Sequence, residues 1–393
     1  MCGSKEGDNQ YLFEHRAGAH RKDSTCVGAV ARKIGTPFGA LAKAVTKALV
    51  EAVTSNNESL ATARGFSLRD WWSLAWADMS SGRWALYAIY IGASVLITQL
   101  YGERTEELST ATLAQLVAGE ADSPFQYRVL MPFLIGIAAA ANNIESFLLV
   151  DVGFRLLTLF ALMLVLRRWL RHFVDPLLAD VGPLLLGVML PWSFHFYWPY
   201  DFSGILIWTA CLVAMVERRY ALYLALFAVG TFNRETTFFL MAIFAVTQWE
   251  SLGKRETMKR TGHQLLIWGL IFVGLRVMIR PNGGEVLEVH PMENIAYLTS
   301  GAWVELFEHW TRLLSTLGFV WLLAAWHWRK RSAFLRRACW VLPAQAVVFL
   351  VVARLVEIRV WYEWTPIILA LAGQSLMELA RREQQTSPGE PAV

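Results

Sequence analysis

The sequence predicts an all-α fold: a polytopic integral membrane bundle of about ten transmembrane helices with one further re-entrant or interfacial helix. Three observations predict it. Apolar runs recur from residue 84 to residue 377, basic residues gather in short clusters between them, and 55% of the 393 residues are hydrophobic, with a mean hydropathy of +0.38. With 18 tryptophans as well, this composition excludes a soluble enzyme built on one large core. The net charge of +4 matters less than its distribution, because all eight lysines fall in stretches read as cytoplasmic.

The N-terminal part stands apart from the apolar runs. Residues 1–25 are polar and read as disordered, with no apolar core of a cleavable signal, and a Cys2-Gly3 start without one is not a lipoprotein signal. Between 27 and 53, Val30, Ile34, Phe38, Leu41, Val45, Leu49 and Val53 recur at helical spacing among Arg32, Lys33, Lys43 and Lys47. A basic amphipathic helix of this kind suits an anionic membrane surface or a partner, and Gly35-Thr36-Pro37 interrupts it. Residues 55–59 are a linker, and Trp71, Trp72, Trp76 and Trp84 suit an aromatic belt at the cytoplasmic interface. Residues 1–83 are therefore a cytoplasmic region, 84–380 the transmembrane domain and 381–393 a disordered cytoplasmic tail. The four cysteines place no pair in an exposed loop, so neither a disulfide framework nor a CxxC metal site is implied.

The expected spans are 84–101, 146–166, 183–198, 202–216, 220–232, 236–249, 264–279, 312–328, 339–352 and 360–377. Several are shorter than the ~20 residues a bilayer needs, and each short one abuts a polar motif that continues the helix. An acidic-leaning segment at 102–127 carries Glu103, Glu106, Glu107, Glu120 and Asp122. The run 129–141 is too short to cross alone, with Pro132 in its first turn. If it stays on the outer side, the clusters at Arg167/Arg168/Arg171, Arg218/Arg219, Lys254/Arg255/Lys259/Arg260, Arg329/Lys330/Arg331/Arg336/Arg337 and Arg381/Arg382 all face the cytoplasm, as do both termini.

That topology gathers mixed-charge motifs on the outer face: Phe125-Gln126-Tyr127-Arg128, Pro199-Tyr200-Asp201, Asn233-Arg234-Glu235, Arg280 and Glu357-Ile358-Arg359. The stretch from Thr231 to Thr237 is the centre of this pattern, since an adjacent arginine and glutamate between apolar runs need a partner or a water-filled cavity. Two readings fit: a cavity lined by arginines and carboxylates, or ion pairs between helices. Asp151 and Arg155, one turn apart, are expected to be the latter, and Arg276 and Arg354 sit in outer turns of their spans. Arginine occupies every outer cationic position, and a guanidinium grips phosphate bidentately. No phosphate loop is present, so nucleotide is not expected, and neither is nucleic acid. No HExxH or Cys/His cluster argues for zinc, and His195 and His290 read as interfacial or solvated.

The order of these motifs resembles the bacterial membrane proteins related to C-type (GT-C) glycosyltransferases. The likeness rests on a first span, an acidic outer segment, Tyr127-Arg128-Val129-Leu130-Met131-Pro132, Tyr200-Asp201, Asn233-Arg234-Glu235-Thr236 and Glu357-Ile358-Arg359, and covers residues 84–380. It implies transfer of a sugar from a polyprenyl-phosphate donor to a glycan, lipid or protein acceptor on the outer face of the inner (plasma) membrane, in cell-envelope glycan synthesis. It further implies a catalytic carboxylate in the first outer loop, a role that falls on Glu106, Glu107 or Asp122. The Asp-x-Asp or Asp-Asp of many such enzymes is absent, which leaves Asp201 and Glu235 as further candidates for the base or as partners that hold the arginines. Arg128, Arg234 and Arg359 are the expected phosphate ligands. No soluble cofactor is required, although the outer carboxylates could hold a divalent metal. A transporter or flippase and a non-catalytic membrane scaffold are the alternative classes.

Overall fold

The computed structural model describes residues 43–48, 50–51, 83–284 and 289–386. Among them the chain is all-helical, and the one trace of sheet is an isolated parallel bridge between Glu106 and Phe196. Five helices are long and apolar enough to cross a membrane: α1 (Trp84–Arg104), α4 (Phe147–Leu170), α5 (Pro176–Ser193), α9 (Lys254–Met278) and α13 (Ala333–Val352). Between and after them lie α2 (Leu113–Ala118), α3 (Leu130–Ala141), α6 (Asp201–Val216), α7 (Tyr220–Asn233), α8 (Phe238–Leu252), α10 (Pro291–Thr299), α11 (Trp303–Leu314), α12 (Val320–Ala325) and α14 (Thr365–Thr386).

Local chemistry explains the ends. Thr112 and Gln115 form a capping box at the start of α2, and Gly119, in the left-handed region at φ +70°, stops it. Ser146 caps α4 by accepting the Leu149 N–H. Asp175 caps α5, with Pro176 in its first turn, and Pro183 and Pro191 then break it into short helical pieces. Helix α6 is the centre of the bundle. Twelve of its 16 residues are buried, so at ~1.5 Å per residue it is short for a lipid-exposed span but long enough to pack between α4 and α7.

Three segments differ from the sequence expectation. Residues 312–328 do not form one helix: Leu317, Gly318 and Phe319 are all left-handed, and His327 is again left-handed. The preceding helix α11 carries no buried residue and turns Trp303, Val304, Phe307, Trp310 and Leu314 outward. Residues 358–364 wind as a tighter 3₁₀ turn before α14 begins, and α14 continues through Thr386, so the segment from 381 to 386 is helical rather than an unstructured tail. Of the amphipathic N-terminal pattern, only 43–48 and 50–51 are described. There Val45 is buried and Lys47 pairs with Glu51 at 3.9 Å on the exposed side. The linker and the tryptophans at 71, 72 and 76 lie outside the described residues.

Charges collect at the two ends of the bundle. At the C-terminal end of α6, Glu217 receives Arg168 at 2.6 Å, Arg219 at 3.1 Å and His172 at 3.4 Å, while Asp180 receives Arg167 at 2.6 Å and Arg171 at 3.2 Å. Burial alone would raise the Glu217 carboxyl. Hydrogen bonds from His172 and Arg168 and the charges of Arg168 and Arg219 outweigh it and hold the group at about 2. Arg337 with Glu250 and Lys330 with Glu378 at 2.7 Å extend this end. The other end holds the motifs singled out in the sequence.

Candidate functional site

The site is built around the turn from Thr231 to Thr237. Helix α7 ends at Asn233, Arg234 takes an extended conformation (φ −155°, ψ 137°), and one 3₁₀ turn over Glu235–Thr237 leads into α8. Side chains rather than helix bonds fix this break. Asn233 Nδ2 donates to the Tyr200 carbonyl at 3.1 Å and its Oδ1 accepts from Ser203 Oγ at 3.0 Å. Thr237 Oγ1 donates to the Arg234 carbonyl at 3.1 Å, and Trp268 Nε1 donates to the Glu235 carbonyl at 3.0 Å. Thr237 and Trp268 thus satisfy the Arg234 and Glu235 carbonyls at the interruption, and Asn233 ties the turn to the start of α6.

The three predicted arginines meet here. Arg359 Nη1 donates to Asp201 Oδ1 at 3.0 Å, its Nε donates to Glu357 Oε2 at 3.0 Å, and its guanidinium lies 4.6 Å from the centre of the Trp198 ring. Arg128 Nη2 donates to Glu235 Oε1 at 3.1 Å and its Nη1 to the Tyr200 hydroxyl at 2.8 Å, with the guanidinium over the Tyr200 ring. Arg234 Nη1 stands 3.9 Å from Asp201 and 4.0 Å from Glu363, within ion-pair range but beyond hydrogen-bonding distance, and its buried Nε has no hydrogen-bond partner. Thr236 donates to Glu363, and Tyr101 OH lies 3.3 Å from Asp201 Oδ2. Asp201 sits in the first turn of α6, where the helix dipole favours a carboxylate.

Side-chain exposure separates two parts of the cluster. Arg234, Arg359, Asp201 and Glu363 are 1–5% exposed, whereas Glu235 is 31% exposed and forms the open edge. An isolated buried ion costs several kcal/mol, so each buried guanidinium requires its carboxylate. Asp201 and Glu235 therefore hold arginines, one of the two roles the sequence left open for them.

The first-loop carboxylates lie elsewhere. Glu106 and Glu107 are exposed; the Glu106 backbone pairs with His195 and Tyr197 at 3.1 and 2.9 Å, and Glu107 Oε1 accepts from the Leu113 N–H at 3.4 Å. Asp122 abuts the loop at 280–284, where a Cβ on Gly283 would stand 2.6 Å from its Oδ1. Among the described residues no ion pair joins these three to Arg128, Arg234 or Arg359. Nor does any group of three His, Cys, Asp or Glu side chains there converge as a metal site would require.

Sequence reasoning missed Glu363, because residues 360–377 read as an uninterrupted span. A carboxylate between Tyr362 and Trp364 at the head of an apolar run is the signal that could have found it. His195, read as interfacial or solvated, is half-buried, and burial together with the Arg312 charge holds its imidazole below the ordinary value. Asp151 and Arg155 do form the buried structural pair expected of them, with Arg155 lying over the Tyr101 and Tyr197 rings.

No protein-family model, curated protein or solved structure matches this chain.

The cluster's internal pairing predicts a sharp stability contrast. Asp201→Asn leaves Arg359 and Arg234 without their shared charge and should destabilise the protein by about 3–5 kcal/mol. Glu106→Gln, at an exposed position, should stay within about 0.5 kcal/mol of the parent. Denaturation of the purified proteins in detergent micelles measures both; equal stability of Asp201→Asn and the parent would show that the pair carries no structural charge.

Proposed function

We propose that this chain is an integral membrane glycosyltransferase that uses a polyprenyl-phosphate-linked sugar at the extracytoplasmic face, in cell-envelope glycan synthesis. One observation carries the reading: Arg128, Arg234 and Arg359, drawn from three distant stretches of sequence, share one largely buried site at one end of a helical bundle. Guanidiniums concentrated where water is scarce are suited to a phosphate that gains negative charge as it leaves.

In the proposed step the acceptor O–H gives its proton to a carboxylate as its oxygen bonds to the sugar's anomeric carbon. The bond from that carbon to the phosphate oxygen breaks, and the electron pair leaves with the polyprenyl phosphate. General-base help of this kind contributes about 10²- to 10⁴-fold. Asp201 and Glu235 hold Arg359 and Arg128, and Glu363 is buried against Thr236, so the base falls to a first-loop carboxylate outside these contacts, Glu106, Glu107 or Asp122. Arg234 is the least committed of the three arginines, since both its ion pairs are long. The lipid chain of the donor enters between helices from the bilayer, and no soluble cofactor takes part.

In this reading the arginine site faces outward, and the clusters around Glu217, Asp180 and Glu378 face the cytoplasm, together with both termini. A transporter is the second reading, favoured by one observation. Two interrupted segments pack together: a Cβ on Gly318 would stand 3.3 Å from the Val188 carbonyl oxygen of the broken α5. A transporter would move a lipid-linked sugar across the bilayer unchanged, whereas a transferase consumes it.

Orientation is tested with single cysteines at Ser300 and Ser332 in a background without native cysteines. Ser300 should react with a membrane-impermeant thiol reagent in intact cells and Ser332 only after lysis; equal reaction at both positions would refute the outward-facing site. Function is tested with Arg234→Lys, which keeps the charge and loses the fork. In cells producing it at the parental level, chase of a labelled sugar out of the lipid-linked fraction should slow by about 10²-fold or more. A parental rate would make Arg234 a structural charge.

A further inference from the structure

The arginine cluster is closed by its own ion pairs, so the lipid phosphate that a transfer releases needs a holding place at its edge. We propose that Arg276, with Tyr127 and Arg128, is that place: a subsite for the phosphate of the prenyl monoester released by transfer, on its way to the bilayer along α9. The inference rests on the phosphate-binding reading above and names where the lipid product leaves, the arriving donor being a phosphodiester.

Four observations support it. Arg276 lies in the last turn of α9, its guanidinium 4.6 Å from the centre of the Tyr127 ring and 3.5 Å from that of Phe272. Its one hydrogen bond runs from Nη1 to the Phe272 carbonyl at 3.3 Å, and among the described residues it has no carboxylate within ion-pair distance. Arg128, Arg234 and Arg359 all have one. Second, the Tyr127 hydroxyl is buried without a hydrogen-bond partner on a residue only 3% exposed, and Arg128 Nε is likewise unpartnered. Buried donors without acceptors are costly, and here they lie beside a guanidinium with no carboxylate at ion-pair distance. Third, Arg128 and Glu235 lie within electrostatic reach of Arg276, so the subsite adjoins the open edge of the cluster. Fourth, Val273 and Val277, on either side of Arg276 in α9, are 56% and 77% exposed. That face of the helix looks out of the bundle, where the apolar tail of a lipid would lie.

A phosphate monoester fits these groups. It offers acceptor oxygens to a planar guanidinium, to a phenol O–H and to a second arginine, and it carries its apolar chain away from the protein. Inward of the subsite lie Arg128 and then Arg234, from which the released phosphate comes.

The test uses the full-length protein in non-ionic detergent micelles and isothermal titration with farnesyl phosphate, farnesol, inorganic phosphate and phosphatidylglycerol. The parent protein should bind farnesyl phosphate in preference to the other three. Arg276→Gln should weaken that binding about tenfold or more, and Arg276→Lys should recover part of it. Both variants should unfold near the parental temperature, because no buried carboxylate loses its partner. Parental affinity in Arg276→Gln would overturn the Arg276 assignment and leave the cluster's phosphate reading standing. Equal binding of farnesol and farnesyl phosphate by the parent would overturn that reading itself. Inorganic phosphate or phosphatidylglycerol binding as tightly as farnesyl phosphate would overturn selection of a monoester lipid. Should Arg276→Gln fail to fold, the comparison of Arg276→Lys with the parent decides alone, and equal affinity there overturns the assignment.

Discussion

The ion pair between Arg359 and Asp201 is the constraint on which this end of the molecule depends. Both side chains are almost wholly buried, 3.0 Å apart, and a guanidinium in that position persists only when its charge is met. Meeting it fixes several elements at once. Asp201 must open α6, the 3₁₀ turn at 358–364 must bring Arg359 over the Trp198 ring, and Tyr101 must reach across from the end of α1. Arg234 shares the same carboxylate from the far side, which ties the turn between α7 and α8 to the same point. The site is therefore a junction of four segments distant in sequence rather than a feature of one.

The distribution of charge along α6 gives the rest of the architecture its sense. One end meets Arg359 and Arg234, the other end meets Arg168, Arg219 and His172 through Glu217, and the residues between are apolar apart from Ser203 and Thr209. Thr209 bonds its own helix at the Ile205 carbonyl, so it demands nothing from its neighbours. Charged groups at both ends and an apolar middle are what a bilayer selects, since an unpaired polar group is tolerated only near water.

Much of this was legible in the sequence because apolar runs and charge clusters are local signals. Helices α1, α4, α6, α7 and α9 begin or end within a few residues of polar motifs that punctuate the sequence, and the turn at Asn233-Arg234-Glu235 announced itself by being charged between apolar flanks. What the sequence hid was non-local. Residues 312–328 carry enough apolar side chains for a span, yet three consecutive left-handed residues beside the broken α5 interrupt them. Apolar content reports affinity for lipid and says nothing of backbone handedness. The pairing of Arg128 with Glu235, 107 residues away, was equally hidden, since like motifs on one face do not say which charges meet. Assigning the base to Glu106, Glu107 or Asp122 rested on resemblance, and those side chains stay outside the ion-pair network.

The buried arginines, the carboxylates that hold them and the half-exposed Glu235 are the parts of the site, and its proposed occupant is an anion that brings its own apolar anchor. In the proposed function this anion is the phosphate of a lipid-linked sugar, and the chain consumes it. Mass spectrometry of lipid-linked glycans extracted from cells with and without the chain tests this most directly. Cells lacking it should accumulate one lipid-linked sugar, with loss of the glycan built from it. Identical lipid-linked profiles and unchanged glycan in the two cell types would contradict it.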